Sequence, residues 1–309
     1  MIDLQQDNQS MCTHTLTGHS DGVKAILICP DGQTLISGGE DGTIKLWQLQ
    51  TGQLIRTLTG HTYGVKSLAI CPDGQTLVSG GGDGTIKLWK LPGAELIRTL
   101  IAGYSRLDSG WMPVAISPDG QIVASHSSSY SQTIKLWQLD TGDLIGTLTG
   151  HAGSVKSFAF SPDGQTLASD GADNTIRLWH LNTEEQINTL AGHTGGIYSI
   201  AISPDGQTLV SGGVDQVLKI WNLHTGKLVR TLSGHSYSVN SVVISPNGQL
   251  LASGGYDGII KVRQLATGKR LRIFSGHSGS VNSVAVSPDA QILVSGSADK
   301  TIKIWQIAP

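Results

Sequence analysis

Short alternations of apolar and polar residues, broken by Pro, Asp and Gly, run the length of this chain. One stretch shows the pattern. Gly64 to Ile70 (GVKSLAI) alternates with period two and predicts a half-buried strand, a. Cys71-Pro72-Asp73-Gly74 predicts a turn, because Pro presets φ and Gly accepts a positive φ. Gln75 to Ser79 predicts strand b, and Gly80 to Gly84 a second turn. Thr85-Ile86-Lys87-Leu88-Trp89 is β-branched and alternating, predicting strand c, and Leu96 to Leu100 predicts strand d. No window shows the three-to-four spacing of an amphipathic helix, so the chain is expected to be all-β.

The four-strand unit recurs. Gly-His appears at His19, His61, His151, His193, His235 and His277, spaced by 42 residues apart from one gap of 90. A Trp series (Trp47, Trp89, Trp137, Trp179, Trp221, Trp305) runs in step, with Arg263 where a seventh Trp is due. Prolines at 30, 72, 118, 162, 204, 246 and 288 count the same seven units. A period near 42 with four short strands predicts a seven-bladed propeller of four-stranded antiparallel blades. The last unit has no strand d, whereas Cys12-Thr13-His14-Thr15-Leu16 matches the strand d of unit 1, Leu54 to Leu58. The N-terminal strand should therefore complete the last blade and remove an exposed sheet edge. Residues 1–10 are expected to be a tail, and 11–309 a single propeller domain.

Composition narrows the function. Glycine supplies 40 of 309 residues, nearly twice the usual share of about 7%, as many tight turns require. Lys plus Arg is 21 against 23 Asp plus Glu, which argues against a nucleic-acid partner, since such binding needs a basic stripe. No segment approaches the roughly 20 apolar residues of a membrane helix. The acidic, polar start is unlike a secretory signal, so a cytoplasmic location is expected. Cys12, Cys29 and Cys71 are too few for a disulfide scaffold, and they form no zinc-ligand spacing. No phosphate loop is present, and no metal or other cofactor is expected.

The string Gly-His … Ser-Pro-Asp-Gly … Leu-x-Ser-Gly … Asp-x-Thr-Ile-Lys-Leu-Trp resembles the WD40 repeat family over residues 11–309. One departure is consistent: the Asp that should follow Trp is Gln48, Lys90, Gln138, His180, Asn222 or Gln306. The near-identity of the units is similar to bacterial members. His19, Ser37 and Asp41 resemble a hydrolase triad, but the set recurs in five more units. An active site is needed once and a blade must be tied every time. The resemblance implies a structural chain of Trp, Ser, His and Asp in each blade. Two units break it: Arg263 replaces Trp in unit 6, and unit 3 has Tyr104 for His with Ser131 near the Asp position. The basic ring two residues before each Trp, from Lys45 to Lys303, is expected to pack its stems on the blade and leave its heads in water.

Where a repeat is this regular, information sits at the positions that vary. The resemblance implies partner binding on the face where strand a begins, around the central channel. One ring of positions there is Lys24, Lys66, Met112, Lys156, Tyr198, Asn240 and Asn282. A second is Glu40, Gly82, Tyr130, Ala172, Val214, Tyr256 and Ala298. Blade 3 is six residues longer than the period and adds Tyr104 to Met112. This segment is rich in residue types favoured at interfaces, with Arg106 expected to be exposed. Trp111 aligns with Val65 and Val155, leaving burial and exposure both open. The expected function is a non-catalytic scaffold that binds a protein or peptide at the channel mouth. Lys24, Lys66 and Lys156 would favour an acidic segment, and Tyr130, Tyr198 and Tyr256 would be apolar anchors. A closed ring satisfies its own edges, which favours a monomer. The alternatives are a sensor or docking part of a larger kinase or NTPase, with residues 1–10 as a remnant linker, and an enzyme acting at the channel.

Overall fold

The computed structural model describes residues 11–102, 111–126 and 132–307. Seven four-stranded antiparallel sheets form the blades, each ordered a-b-c-d from the channel outward. Closure follows the expected route. Cys12–Leu16 pairs antiparallel with Ile302–Gln306, matching Cys12 to Trp305 and Leu16 to Ile302. Lys303 then donates to Thr15 at 2.9 Å, as Lys45 does to Thr57 at 3.1 Å within blade 1.

The core lies between blades rather than within them. Trp47, Leu35, Val23 and Ile26 of blade 1 pack on Val294, Ile302 and Ile304 of blade 7, and comparable clusters fill the other interfaces. Burying such a side chain contributes about 1.5–3 kcal/mol. Each seam therefore holds much of the ring's stability. Polar ties cross the same seams. The Ser in the middle of strand a accepts from the next blade's backbone: Ser283 from Ile26 at 3.0 Å, Ser199 from Val242 at 3.0 Å, Ser67 from Val114 at 3.2 Å.

Three expectations about local structure need correction. Strand b of blade 2 runs Thr76–Gly81, so Gly80 and Gly81 are paired strand residues and the turn is Gly82-Asp83-Gly84. Glycine is needed at position 80 because the next blade approaches closely: a Cβ there would lie 2.1 Å from the Met112 carbonyl oxygen. The heads of the basic ring are not all in water. Lys45, Lys87 and Lys219 are buried and donate to Thr57, Thr99 and Thr231 of strand d, and Lys135 donates to the Ala102 carbonyl. A buried ammonium keeps its charge only with such acceptors in place.

The third correction concerns the inner strands. Strand a is six residues long in blade 2 (Val65–Ile70) and equally long in blades 1, 5, 6 and 7. It shrinks to three in blade 3 (Val114–Ile116) and blade 4 (Phe158–Phe160). These are the two blades in which the Ser-Gly of strand b becomes Ser125-His126 and Ser169-Asp170. Both intruding side chains are fully buried. Where a Gly allows the first half of strand a to pair, as Ser67 does with Gly80, a larger side chain displaces it.

Candidate functional site

The repeated His, Ser and Asp are committed to the scaffold. In blade 1, Trp47 Nε1 donates to Ser37 Oγ at 2.8 Å, Ser37 lies 2.8 Å from His19 Nε2, and His19 Nδ1 lies 2.9 Å from Asp41 Oδ2. Blades 2, 4, 5 and 7 repeat the chain through Ser79, Ser169, Ser211 and Ser295. Burial holds His19, His151, His193, His235 and His277 below the ordinary imidazole value against the pull of their carboxylates, so the rings are neutral. A neutral ring donates from Nδ1 to the Asp and accepts the Ser hydroxyl proton at Nε2. The serine hydroxyl is thus engaged by both Trp and His, and it is fully buried. Asp41 sits below the usual carboxylate range. Burial opposes this, but hydrogen bonds from Thr43, Ser20 and His19 outweigh it.

The exceptions behave differently. In blade 6, Ser253 meets His235 at 2.9 Å, while Arg263 donates to the carbonyls of Gly268 and Ser233. Arg263 therefore substitutes for the Trp in volume but not in the chain. In blade 3, Trp137 still donates to Ser125 at 2.9 Å; Tyr104 and Ser131 lie outside the described residues. Cys29 and Cys71 are buried free thiols pushed up to about 12 and about 11, chiefly by desolvation, and are inert. Among the described residues no group of three or more His, Cys, Asp or Glu could hold a metal ion. None of their helices is long and apolar enough to cross a membrane, which says nothing of a β-barrel.

Six positions of the first ring, Lys24, Lys66, Lys156, Tyr198, Asn240 and Asn282, meet Tyr256 of the second at one cavity of about 420 Å³ at the channel mouth. Glu40 and Trp111 also line it. Arg106 and Tyr130 lie outside the described residues. Met112 is a correction: it is 3% exposed and packs in the blade 2–3 seam beside Val78 and Ile86. It fills the space that Val65 fills one seam earlier, as its contact with Gly80 shows. Trp111, aligned by count with that Val, is instead 42% exposed. The exchange follows from the unpaired start of blade 3. Pro113 cannot donate to a ladder, and without pairing at residues 111–113 the side chains no longer alternate as in blade 2.

Blade 4 delivers its cation by the same route. The Asp170 carboxyl group accepts the backbone N–H groups of Lys156 and Ser157, both at 2.9 Å, while the carbonyls of Ser157 and Ser154 accept the N–H groups of Asp170 at 3.2 Å and Ala172 at 2.9 Å. Residues 154–157 are therefore held to the end of strand b partly by a side chain rather than by a regular ladder. From that segment Lys156 Nζ reaches 3.8 Å from the centre of the Tyr198 ring and 5.1 Å from that of Trp111. The two rings are stacked, 5.9 Å apart at 24°. Desolvation lowers the Lys156 value, with Asp170 opposing it. Burial pushes Asp170 up to about 8 despite its two backbone donors, so it is protonated at neutral pH. Asp170 was missed in the sequence. The visible signal was its substitution for the Gly of a Ser-Gly that five of the seven units keep.

The remaining cations and amides are partly committed. Glu40 accepts Lys66 at 2.6 Å and lies 3.4 Å from Lys24. Asn240 and Asn282 donate across seams to the carbonyls of Val281 and Val23, at 3.1 and 2.8 Å, so their amides tie blades together as well as lining the cavity. Tyr256 is 63% exposed and pairs with Tyr237 at 6.1 Å. This wall supplies aromatic surface to the opposite side of the mouth.

The repeat family described as WD domain, G-beta repeat matches residues 10–48, 52–90, 114–138, 142–180, 184–222, 226–263 and 268–306. The small ribosomal subunit protein RACK1y of Oryza sativa subsp. japonica is 48% identical over 160 residues, which is 51% of this chain and 48% of that protein. Autophagy-related protein 16 of Arabidopsis thaliana is 26% identical over 54% of this chain and 32% of its own. Periodic tryptophan protein 2 of Saccharomyces cerevisiae is 44% identical over 49% of this chain and 16% of its own. The chain thus spans half or less of the length of each of these relatives. Seven matched repeats, a closed seven-bladed ring and a Trp-Ser-His-Asp chain in blade after blade lead to one conclusion: this chain belongs to the WD40 repeat family.

Proposed function

We propose that this propeller is a non-catalytic scaffold whose channel mouth captures an acidic segment of a protein partner. One observation carries the reading. Eight of the fourteen positions that vary from blade to blade line a single concave site, and that site holds three lysines against one glutamate, a formal net charge of +2 (3 − 1). The whole chain carries −2, so the mouth is set apart from the molecule's average. Trp111, Tyr198 and Tyr256 add aromatic surface of the kind that dominates interface energetics. The repeated histidines, serines and aspartates are bonded to one another, and in five blades to the Trp as well, which supports a scaffold role for them.

A test combines charge and salt. The immobilised chain is used to capture partners from native extract beside the variant Lys24→Glu/Lys66→Glu/Lys156→Glu. The expected outcome is a set of partners retained by the native chain, lost by the variant, and weakened as ionic strength rises. Equal capture by both would remove the electrostatic part of the reading. A second reading has its own support: periodic tryptophan protein 2 and autophagy-related protein 16 match over only 16% and 32% of their lengths, so similar repeats occur there within longer chains. This propeller would then be the docking part of a larger polypeptide.

A further inference from the structure

The three lysines of the mouth are not equivalent. Lys24 and Lys66 converge on one carboxylate. Lys66 Nζ lies 2.7 and 2.6 Å from the two oxygens of Glu40, and Lys24 Nζ lies 3.4 Å from Oε1. The Lys66 side chain is only 8% exposed, although Glu40 is 25% exposed, so the pair is shielded on its Lys66 side. Lys156 has no carboxylate within salt-bridge distance among the described residues. It faces the π-clouds of Tyr198 and Trp111 instead. The acid beneath it, Asp170, is protonated at neutral pH and uses its carboxyl on backbone N–H groups. Ring faces hold a cation in place but do not neutralise it. Lys156 is therefore presented to the cavity with its charge unspent, on a segment that blade 4 holds partly through the Asp170 side chain.

Resting on the reading that the mouth takes an acidic segment, we propose that a single carboxylate side chain of the partner docks on Lys156, and that Glu40 is a built-in competitor keeping Lys24 and Lys66 closed to a second one. The selectivity that follows is for segments with one acid beside an apolar or aromatic residue. The acid meets Lys156, and its neighbour meets the exposed faces of Trp111 and Tyr256. Removing the competitor turns the site into one that prefers paired acids.

The probe is a dye-labelled peptide of alternating glutamate and glycine with acetylated and amidated ends, followed by fluorescence anisotropy. A glycine peptide with a free C-terminal carboxylate is the second arm, and it separates a terminal from a side-chain acid. Lys156→Gln is expected to weaken binding of the blocked peptide roughly tenfold, while Lys156→Arg retains it. The double variant Glu40→Gln/Lys66→Gln releases Lys24 alone and is expected to tighten binding by less than Glu40→Gln does. Glu40→Gln alone is expected to tighten binding roughly fivefold. Melting curves that match the native chain exclude a folding defect. A double variant that loses as much as Lys156→Gln, or a Glu40→Gln variant that binds no more tightly, overturns the inference while leaving the acidic-segment reading intact. Binding of only the free-carboxylate peptide overturns the side-chain assignment. Failure of both the native chain and Glu40→Gln to bind either peptide overturns the reading and the inference together.

Discussion

Blades 2 and 4 carry the same chain of buried hydrogen bonds and each sends a lysine to the channel mouth, yet Lys66 is paired with Glu40 whereas Lys156 faces two aromatic rings. His61, Ser79, Trp89 and Asp83 superpose in role on His151, Ser169, Trp179 and Asp173, with Trp-to-Ser and Ser-to-His distances of 2.8 Å in both. The difference begins one residue later. Gly80 lets Ser67 pair and strand a run for six residues, whereas Asp170 takes that space and leaves three. The outer half of a blade and its inner edge are thus separable. The first is stabilised by a tie that blades 1, 2, 4, 5 and 7 keep whole, and the second can be rewritten by a single substitution without disturbing it.

The strongest way to break the comparison is to move the intruding side chain. Gly80→Asp should cost about 4 kcal/mol, from overpacking and a buried charge that lacks a partner. A Cβ at position 80 falls 2.1 Å from a backbone oxygen of blade 3, which cannot swing aside as a side chain would. Urea unfolding of the variant measures it. A loss below about 1 kcal/mol would show that any blade can absorb such a residue, so that Asp170 is not a special solution.

A smaller effect tests the shared half. Ser79→Ala and Ser169→Ala each strand a Trp N–H and a His nitrogen, and each should cost about 2–3 kcal/mol. Ser253→Ala in blade 6 strands only His235 and should cost about half as much. Equal losses in blades 2 and 4 support the separation of outer tie and inner edge. A loss in blade 4 well above that in blade 2 would mean that the tie and the Asp170 segment are coupled.

The tie was legible in the sequence because repetition multiplies the signal. Six His-Ser-Asp sets at constant spacing cannot be six active sites, and the spare strand at Cys12–Leu16 had one vacant place to go. The mouth was legible only as a set of positions. Counting from Pro118 put Met112 in the cavity and Trp111 in line with core valines, and the two are exchanged in space. Counting assumes an unbroken strand, and an inner strand cut short by His126 frees the residues before it from the two-residue alternation. The pairing of Lys24 and Lys66 with one glutamate was likewise hidden. Lys66 reaches Glu40 from the neighbouring blade, a contact across a seam that no spacing along one repeat encodes.

The gentlest probe is pH, because the two halves respond with opposite signs. The tie histidines are depressed in the folded protein, chiefly by burial. Their contribution is full above the unfolded value of 6.5 and is lost as the pH falls through the folded values, so acid weakens every such blade. Asp170 is raised from 3.8 to about 8. The folded protein keeps that proton while the unfolded chain has lost it, so its contribution is full below 3.8 and drains away as the pH climbs to about 8. Asp170→Asn keeps the Oδ1 acceptor for Lys156 and Ser157 and cannot ionise. It places an amide where Oδ2 has no partner, which adds a constant cost. Relative to the native chain, the variant should therefore gain stability between pH 5.5 and 8, by at most about 1.4 kcal/mol per pH unit, and level off above that. Urea midpoints for the two proteins that stay parallel across this range would place an ionised Asp170 beneath Lys156. The cation would then be internally paired, and its availability to a partner would have to be explained in some other way.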